Sequence, residues 1–148
     1  MKIFKLSFLM ILAISVLSSC AKKATPAPAA PSQSMSATLN GTNWTASSVN
    51  SINNSGILGV VGSGSNGTSF EIELPASATA STDSLPSTGS YGILYATGSS
   101  SYAMSKGAIV VTSNAGNTIS GTFSGTLTDI SGSGSPITVT NGAFTGKY

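Results

Sequence analysis

Glu71 and Glu73 stand two residues apart in the stretch TSFEIEL. A pair of carboxylates is the minimal machinery for hydrolysing a glycosidic bond, one protonating the leaving oxygen while the other serves as base or nucleophile. On a strand, however, residues i and i+2 share a face about 7 Å apart, so the same pair suits an ordinary solvated strand face. That is the reading adopted here. Serine is plentiful, but a serine nucleophile needs an activating base. Histidine is absent, which leaves lysine. Lys106 and Lys147 are preceded three positions earlier by Ala103 and Phe144, where a Ser-x-x-Lys pair requires serine. Tyr102 and Lys106 have the Tyr-x-x-x-Lys spacing of helical reductase sites, which on a strand or loop loses its geometry. Gly62 to Gly67, GSGSNG, fits the glycine pattern of a dinucleotide-binding turn, but a strand-like segment follows where that fold requires a helix. A hairpin turn is the expected role.

With no histidine, one cysteine and four scattered acids, the chain has neither a zinc-ligand cluster nor a calcium loop. No catalytic residue, metal or cofactor is expected, and the enzymatic alternative is a hydrolase without histidine. For ligand contact the candidates are Trp44, Tyr91, Tyr95 and Tyr102, whose faces can stack on sugar rings while neighbouring hydroxyls bond the rest. Packing in or beside a core is the competing role, most strongly for Trp44 and for Tyr91 and Tyr95, which flank Ile93 at strand spacing.

The cysteine lies elsewhere, at the end of a greasy start. Lys2 and Lys5 form a basic beginning, and Leu6 to Leu17 an apolar run of roughly 12 residues. A helix needs about 20 such residues to cross a bilayer, so the run suits an export signal better than a span. Leu17-Ser18-Ser19-Cys20 resembles a bacterial lipobox, in which the cysteine sulfur is lipidated and the chain is cut before it. One acyl chain holds a protein marginally and two or more hold it stably. Ala-Lys-Lys follows, and then Pro26, Pro28 and Pro31 alternate with alanine, which favours an extended polyproline spacer. The expected organisation is a signal peptide over 1–19, lipidated Cys20 with its linker over 20–35, and one domain over 36–148. Ala21 after the cysteine differs from the Asp of inner-membrane retention, which points to the outer membrane, with its periplasmic or surface face left open.

Within the domain the dominant pattern has period 2. Phe70, Ile72 and Leu74 alternate with Glu71 and Glu73. Ile119, Phe123 and Leu127 share a face with Gly121 and Gly125, opposite Ser and Thr. Further runs are SATLNG, NWTASSV, GILGVVG, GSYGILYAT, GAIVVTS, PITVTN and GAFTGKY, separated by turn signals at Asn40-Gly41, Ser65-Asn66-Gly67, Ala115-Gly116-Asn117 and Asn141-Gly142. About eight short strands predict an all-β fold, an antiparallel β-sandwich with a small barrel as the alternative. Glycines inside the strands favour two closely packed sheets.

Charged residues make up 7% of the chain, against an ordinary share of about a quarter. The formal charge of +2 includes Lys2 and Lys5. Without the signal, four lysines balance four acids. A neutral chain releases few counterions from DNA or RNA, so nucleic acid is not an expected partner. The expected partners are the lipid bilayer, through acylated Cys20, and a glycan or envelope protein.

The lipobox and proline spacer, the opening ATLNGTNWTA, the central GSYGILY and the closing TISGTFSGTLTD…ITVTNGAFTGKY together resemble a group of small envelope lipoproteins from Bacteroidota. The likeness spans most of the chain, and the Ser-rich middle over 76–89 departs from it. It implies a β-rich domain at the cell envelope and brings no activity with it. The expected function is a binding or structural module, with a carbohydrate-binding or adhesin accessory as the alternative. Asp83-Ser84-Leu85 is similar to the Asp-Ser/Thr-aliphatic pattern at which Bacteroidota O-glycosylate exported proteins, which makes Ser84, in an expected polar loop, a candidate acceptor.

Overall fold

A computed structural model describes residues 32–87 and 89–148. Ten strands follow one another: β1 (Ser34–Leu39), β2 (Thr42–Thr45), β3 (Ser48–Asn54), β4 (Ile57–Ser63), β5 (Ser69–Pro75), β6 (Ser81–Leu85), β7 (Gly92–Ala96), β8 (Ser101–Ala115), β9 (Thr118–Asp129) and β10 (Ile137–Lys147). All pairings are antiparallel, in the order β2-β1-β10-β9-β8-β7-β5-β4-β3, and β6 pairs with the half of β8 that β7 leaves free. The antiparallel all-β class predicted from the alternation is the class observed. Among the described residues the strands are ten rather than about eight, and they lie in one sheet curled into a half-barrel, with the core on its concave side.

The curl brings the two ends of the sheet together. NWTASSV, read as one strand, breaks at Ala46-Ser47 into β2 and β3, the two terminal strands. In that link Ala46 N–H donates to the Met35 carbonyl at 2.9 Å and Ser47 N–H to that of Ser63 at 2.8 Å. Gln33 adds a second tie, its Oε1 accepting from Lys147 N–H at 3.0 Å and from Ser51 Oγ at 3.2 Å. The first described strand therefore begins at Ser34, two residues ahead of the Ser36 expected for the domain.

Residues with positive φ decide where the chain turns. Asn40 and Gly41 (46° and 84°) and Gly116 and Asn117 (both 58°) form the predicted hairpin turns. Ser55-Gly56 forms another (51° and 89°), between β3 and β4. GSGSNG ends β4 and enters β5 through a 3-10 turn at Ser65–Gly67. Asn141, with φ 52°, does not turn the chain. PITVTN and GAFTGKY are one strand, β10, and Asn141 is the extra residue of a bulge where the register shifts against both β9 and β1. The run GAIVVTS extends back through Ser101–Lys106 into the 15-residue β8, bulged at Ser105 and at Thr112.

The concave face is filled by alternating residues, among them Met35, Leu58, Val60, Phe70, Ile72, Leu74, Ile93, Ile109, Ile119, Phe123, Leu127 and Phe144. An aromatic chain runs through it. The Phe70 ring is 4.9 Å from Trp44, 4.7 Å from Tyr95 and 5.4 Å from Phe123, which lies 6.4 Å from Phe144. Two of the strand glycines serve this cluster, while Gly62 and Gly146 serve the close approach of the sheet's two ends, where a Cβ would meet Met35 and Ala46 or Ser51 and Val60. Phe144 pairs in register with Gly121 and Phe123 with Gly142. A Cβ at either glycine would lie 2.6 Å from the facing ring. Each phenylalanine thus covers the bare backbone of its neighbour.

Candidate functional site

The alternation that builds the core also sorts the candidate residues. Trp44 is 9% exposed and meets Phe70 edge-on. Its indole N–H donates to Thr68 Oγ1 at 2.9 Å, and that hydroxyl donates to the Ser65 carbonyl at 2.8 Å. Tyr95 is 6% exposed on the same phenylalanine, and Tyr102 is half-buried beside it, the rings 6.1 Å apart. Burial pushes the Tyr95 phenol above its ordinary pKa, with nearby Tyr102 adding to the effect. Tyr91 sits apart, beside β6. Its pKa is raised mainly by burial and further by the charge of Asp83, while a hydrogen bond with Ser81 opposes the rise. The four aromatics therefore form no shared exposed platform. Packing is the role observed for Trp44 and Tyr95.

Beside Trp44 the convex face does carry a groove of about 360 Å³, lined by Ser36, Ala37, Thr38, Asn43, Trp44, Thr45 and Asn141. Its walls are mainly hydroxyls and amides, and the bulge at Asn141 forms one side. Thr38 Oγ1 donates to Asn43 Oδ1 across it at 3.3 Å.

Of the pairs weighed for catalysis, Tyr102 and Lys106 are directed apart, and Glu71 and Glu73 remain neighbours on one strand face. Tyr102 leans to the concave side, and the bulge at Ser105 leaves Lys106 exposed. Lys147 is exposed near the end of β10. Glu71 and Glu73 project from the convex face of β5, as the alternation requires. Among the described residues, no three of His, Cys, Asp and Glu group closely enough to hold a metal ion.

Asp83-Ser84-Leu85 is not in a loop. It belongs to β6, where Ser84 pairs with Ala108 of β8 and is exposed on the convex side. Asp83, in register with Ile109, points the other way, accepting a hydrogen bond from Ser81 Oγ at 2.8 Å. The segment has the backbone of a strand although only Leu85 is a large apolar residue.

Sequence reasoning missed two polar sites. Asp129, at the end of β9, is 6% exposed. Its Oδ1 accepts from Ser131 N–H at 2.9 Å and Ser131 Oγ at 3.0 Å, and its Oδ2 from Ser133 Oγ at 3.4 Å. The Ser131 backbone bond leads the effects that hold its carboxyl below the usual range, outweighing the opposing burial. An Asp at a strand end, followed by Ile and then Ser-Gly-Ser-Gly, was the available signal for this local turn. The second site is a latch. Asn114 Nδ2 donates to the carbonyls of Ala76 and Ala78 at 3.0 and 2.9 Å, and Tyr148 Oη donates to Asn114 Oδ1 at 2.9 Å. It fixes the β5–β6 connection to the end of the chain.

Cys20, the segment expected as a signal peptide and the expected linker as far as Pro31 lie outside the described residues. Among the described residues, no helix is long and apolar enough to cross a membrane. The chain matches no protein-family model, and no curated protein or solved structure is detectably similar to it.

Proposed function

We propose that the chain is an envelope lipoprotein, held at the outer membrane through acylated Cys20, whose β domain acts as a non-catalytic binding or structural module. The anchor rests on the short apolar run, the Leu-Ser-Ser-Cys motif and the proline spacer. The observation that carries the module reading is the convex face of β6, β8, β9, β10, β1 and β2. Thr82, Val110, Thr122, Ala143, Ser36 and Thr45 stand in one register row across all six strands. The row contains no acid or base that a reaction would use. Cross-strand bonds such as Ser120 Oγ to Thr145 Oγ1 at 3.1 Å and Ser105 Oγ to Thr128 Oγ1 at 2.7 Å tie hydroxyls to one another. Such a surface hydrates well without charge. Labelling with radioactive palmitate tests the anchor. The wild-type chain is expected to take up label and Cys20→Ala to lose it, and equal labelling would overturn the proposal.

A carbohydrate-binding or adhesin accessory role draws on the groove at Asn43 and Asn141, whose hydroxyls and amides suit sugar hydroxyls better than sugar faces. Asn43→Ala should then abolish retention on a polysaccharide column that retains the wild type. Ser84 is also proposed as an O-glycan acceptor, because its hydroxyl is exposed on β6. Intact mass of protein from the native host should show added hexose that Ser84→Ala removes.

A further inference from the structure

The other half of the convex face is built differently. Among the described residues, the large hydrophobic residues that are exposed are Ile52, Leu94 and Ile130, at 58%, 38% and 63%, from β3, β7 and the turn after β9. Register brings them to one surface. Ile52 pairs with Gly59 and Gly59 with Glu73, while Val61 pairs with Glu71 and Glu71 with Leu94. Ile130 joins from the far edge, its N–H donating to the Ser101 carbonyl at 2.9 Å. Two shallow depressions, about 310 Å³ at Ile52, Ile57 and Glu73 and about 270 Å³ at Leu94 and Ile130, share Glu71 as a common wall. The carboxylates lie low against the sheet. A Cβ at Gly59 would be 3.6 Å from the Glu71 carboxylate, and one at Gly92 3.7 Å from that of Glu73. Asp83 and Asp129 engage their own serines, but these two acids sit amid aliphatic side chains.

We infer that this face docks an extended polypeptide segment that carries lysine or arginine at alternate positions. The inference deepens the binding-module reading and rests on it. Charge complementarity selects the occupant. Glu71 and Glu73 are i and i+2 on one strand, roughly 7 Å apart, which is the spacing of alternate side chains on a second extended chain. Basic side chains at that spacing meet the two acids and lay their aliphatic stems over the depressions, while the residues between them point away from the sheet. A second copy laid on the same face sets glutamate against glutamate. An anionic bilayer surface repels both carboxylates.

The test uses the full-length, isotope-labelled chain in non-ionic detergent, titrated with a Lys-Val-Lys-Val-Lys peptide and with its Glu-Val-Glu-Val-Glu counterpart. Amide shifts are expected around Ile52, Glu71, Glu73, Leu94 and Ile130 with the basic peptide alone. Affinity should fall about threefold for E71Q or E73Q and about tenfold for both together. Both variants lie on the convex face, and an unchanged melting temperature verifies their fold. Shifts elsewhere, no shifts, or equal binding by the double variant would overturn the inference. Concentration-dependent shifts of this face without peptide would instead assign it to a second copy. Shifts caused there by K22Q and K23Q alone would assign it to the chain's own N-terminal segment. Palmitate labelling is blind to all these outcomes, so failure here leaves the anchor standing.

Discussion

The two halves of the convex surface share one sheet and one core, yet they present opposite chemistry. Across β8, β9, β10, β1 and β2 the outward residues are mostly Thr, Ser and Ala. Across β3, β4, β5 and β7 they include Ile52, Ile57, Val61, Leu94, Glu71 and Glu73. The hydroxyl half hydrates and pairs with itself. The apolar, acidic half leaves surface for which water is a poor partner. The concave side does not distinguish them, since Phe70 from one half packs on Phe123 from the other. Folding is therefore a property of the whole sheet, whereas binding is assigned to half of it.

The largest effects should come from that shared core. Phe123→Ala and Phe70→Ala are each expected to cost about 3–5 kcal/mol by denaturant unfolding, because both rings are almost wholly buried. Each variant should retain a single transition. Separate transitions for the two halves would break the idea of one common core. Gly121→Ala drives a methyl into the Val110 carbonyl as well as the Phe144 ring and should cost about 3 kcal/mol. Asn114→Ala removes the latch under the carbonyls of Ala76 and Ala78, at about 1–3 kcal/mol, with hydrogen exchange rising first in the β5–β6 connection.

Acid should act through Asp129. Its folded pKa is depressed, so its contribution is complete above the ordinary carboxylate range and is lost as pH falls through the lowered value. Melting temperature should therefore fall between neutral pH and about pH 3, and Asp129→Asn should flatten that dependence. Equal slopes for the two proteins would contradict the role given to Ser131. The smallest effect sharpens the comparison most. Thr122→Val and Thr126→Val, on the hydroxyl half, should change stability by within about 0.5 kcal/mol in thermal melts.

Much of the fold was legible because β5 and β9 alternate large apolar residues with Glu, Ser or Thr, so burial on one face alone fixes their orientation. β6 was not legible. In STDSL the backbone ladder to β8 does the holding, and ladders leave little trace in side-chain hydrophobicity. Asn141-Gly142 misled for a related reason. A hairpin turn and a bulge make the same demand for positive φ, and only the neighbouring strands, continuous on both sides, choose between them. The aromatic candidates were selected by residue type, but Phe70, placed between Trp44 and Tyr95, draws both inward. The apolar, acidic face was invisible because Ile52, Glu71, Leu94 and Ile130 are far apart in sequence and meet only through register.

The division between the two halves is tested most directly by one dissociation constant, measured for the Lys-Val-Lys-Val-Lys peptide on paired variants of the full chain. Ile52→Ser with Ile130→Ser is expected to weaken binding about tenfold, whereas Thr122→Val with Thr126→Val leaves it unchanged. Equal weakening in both pairs, or loss confined to the threonine pair, would contradict the assignment of binding to the face of β3, β4, β5 and β7.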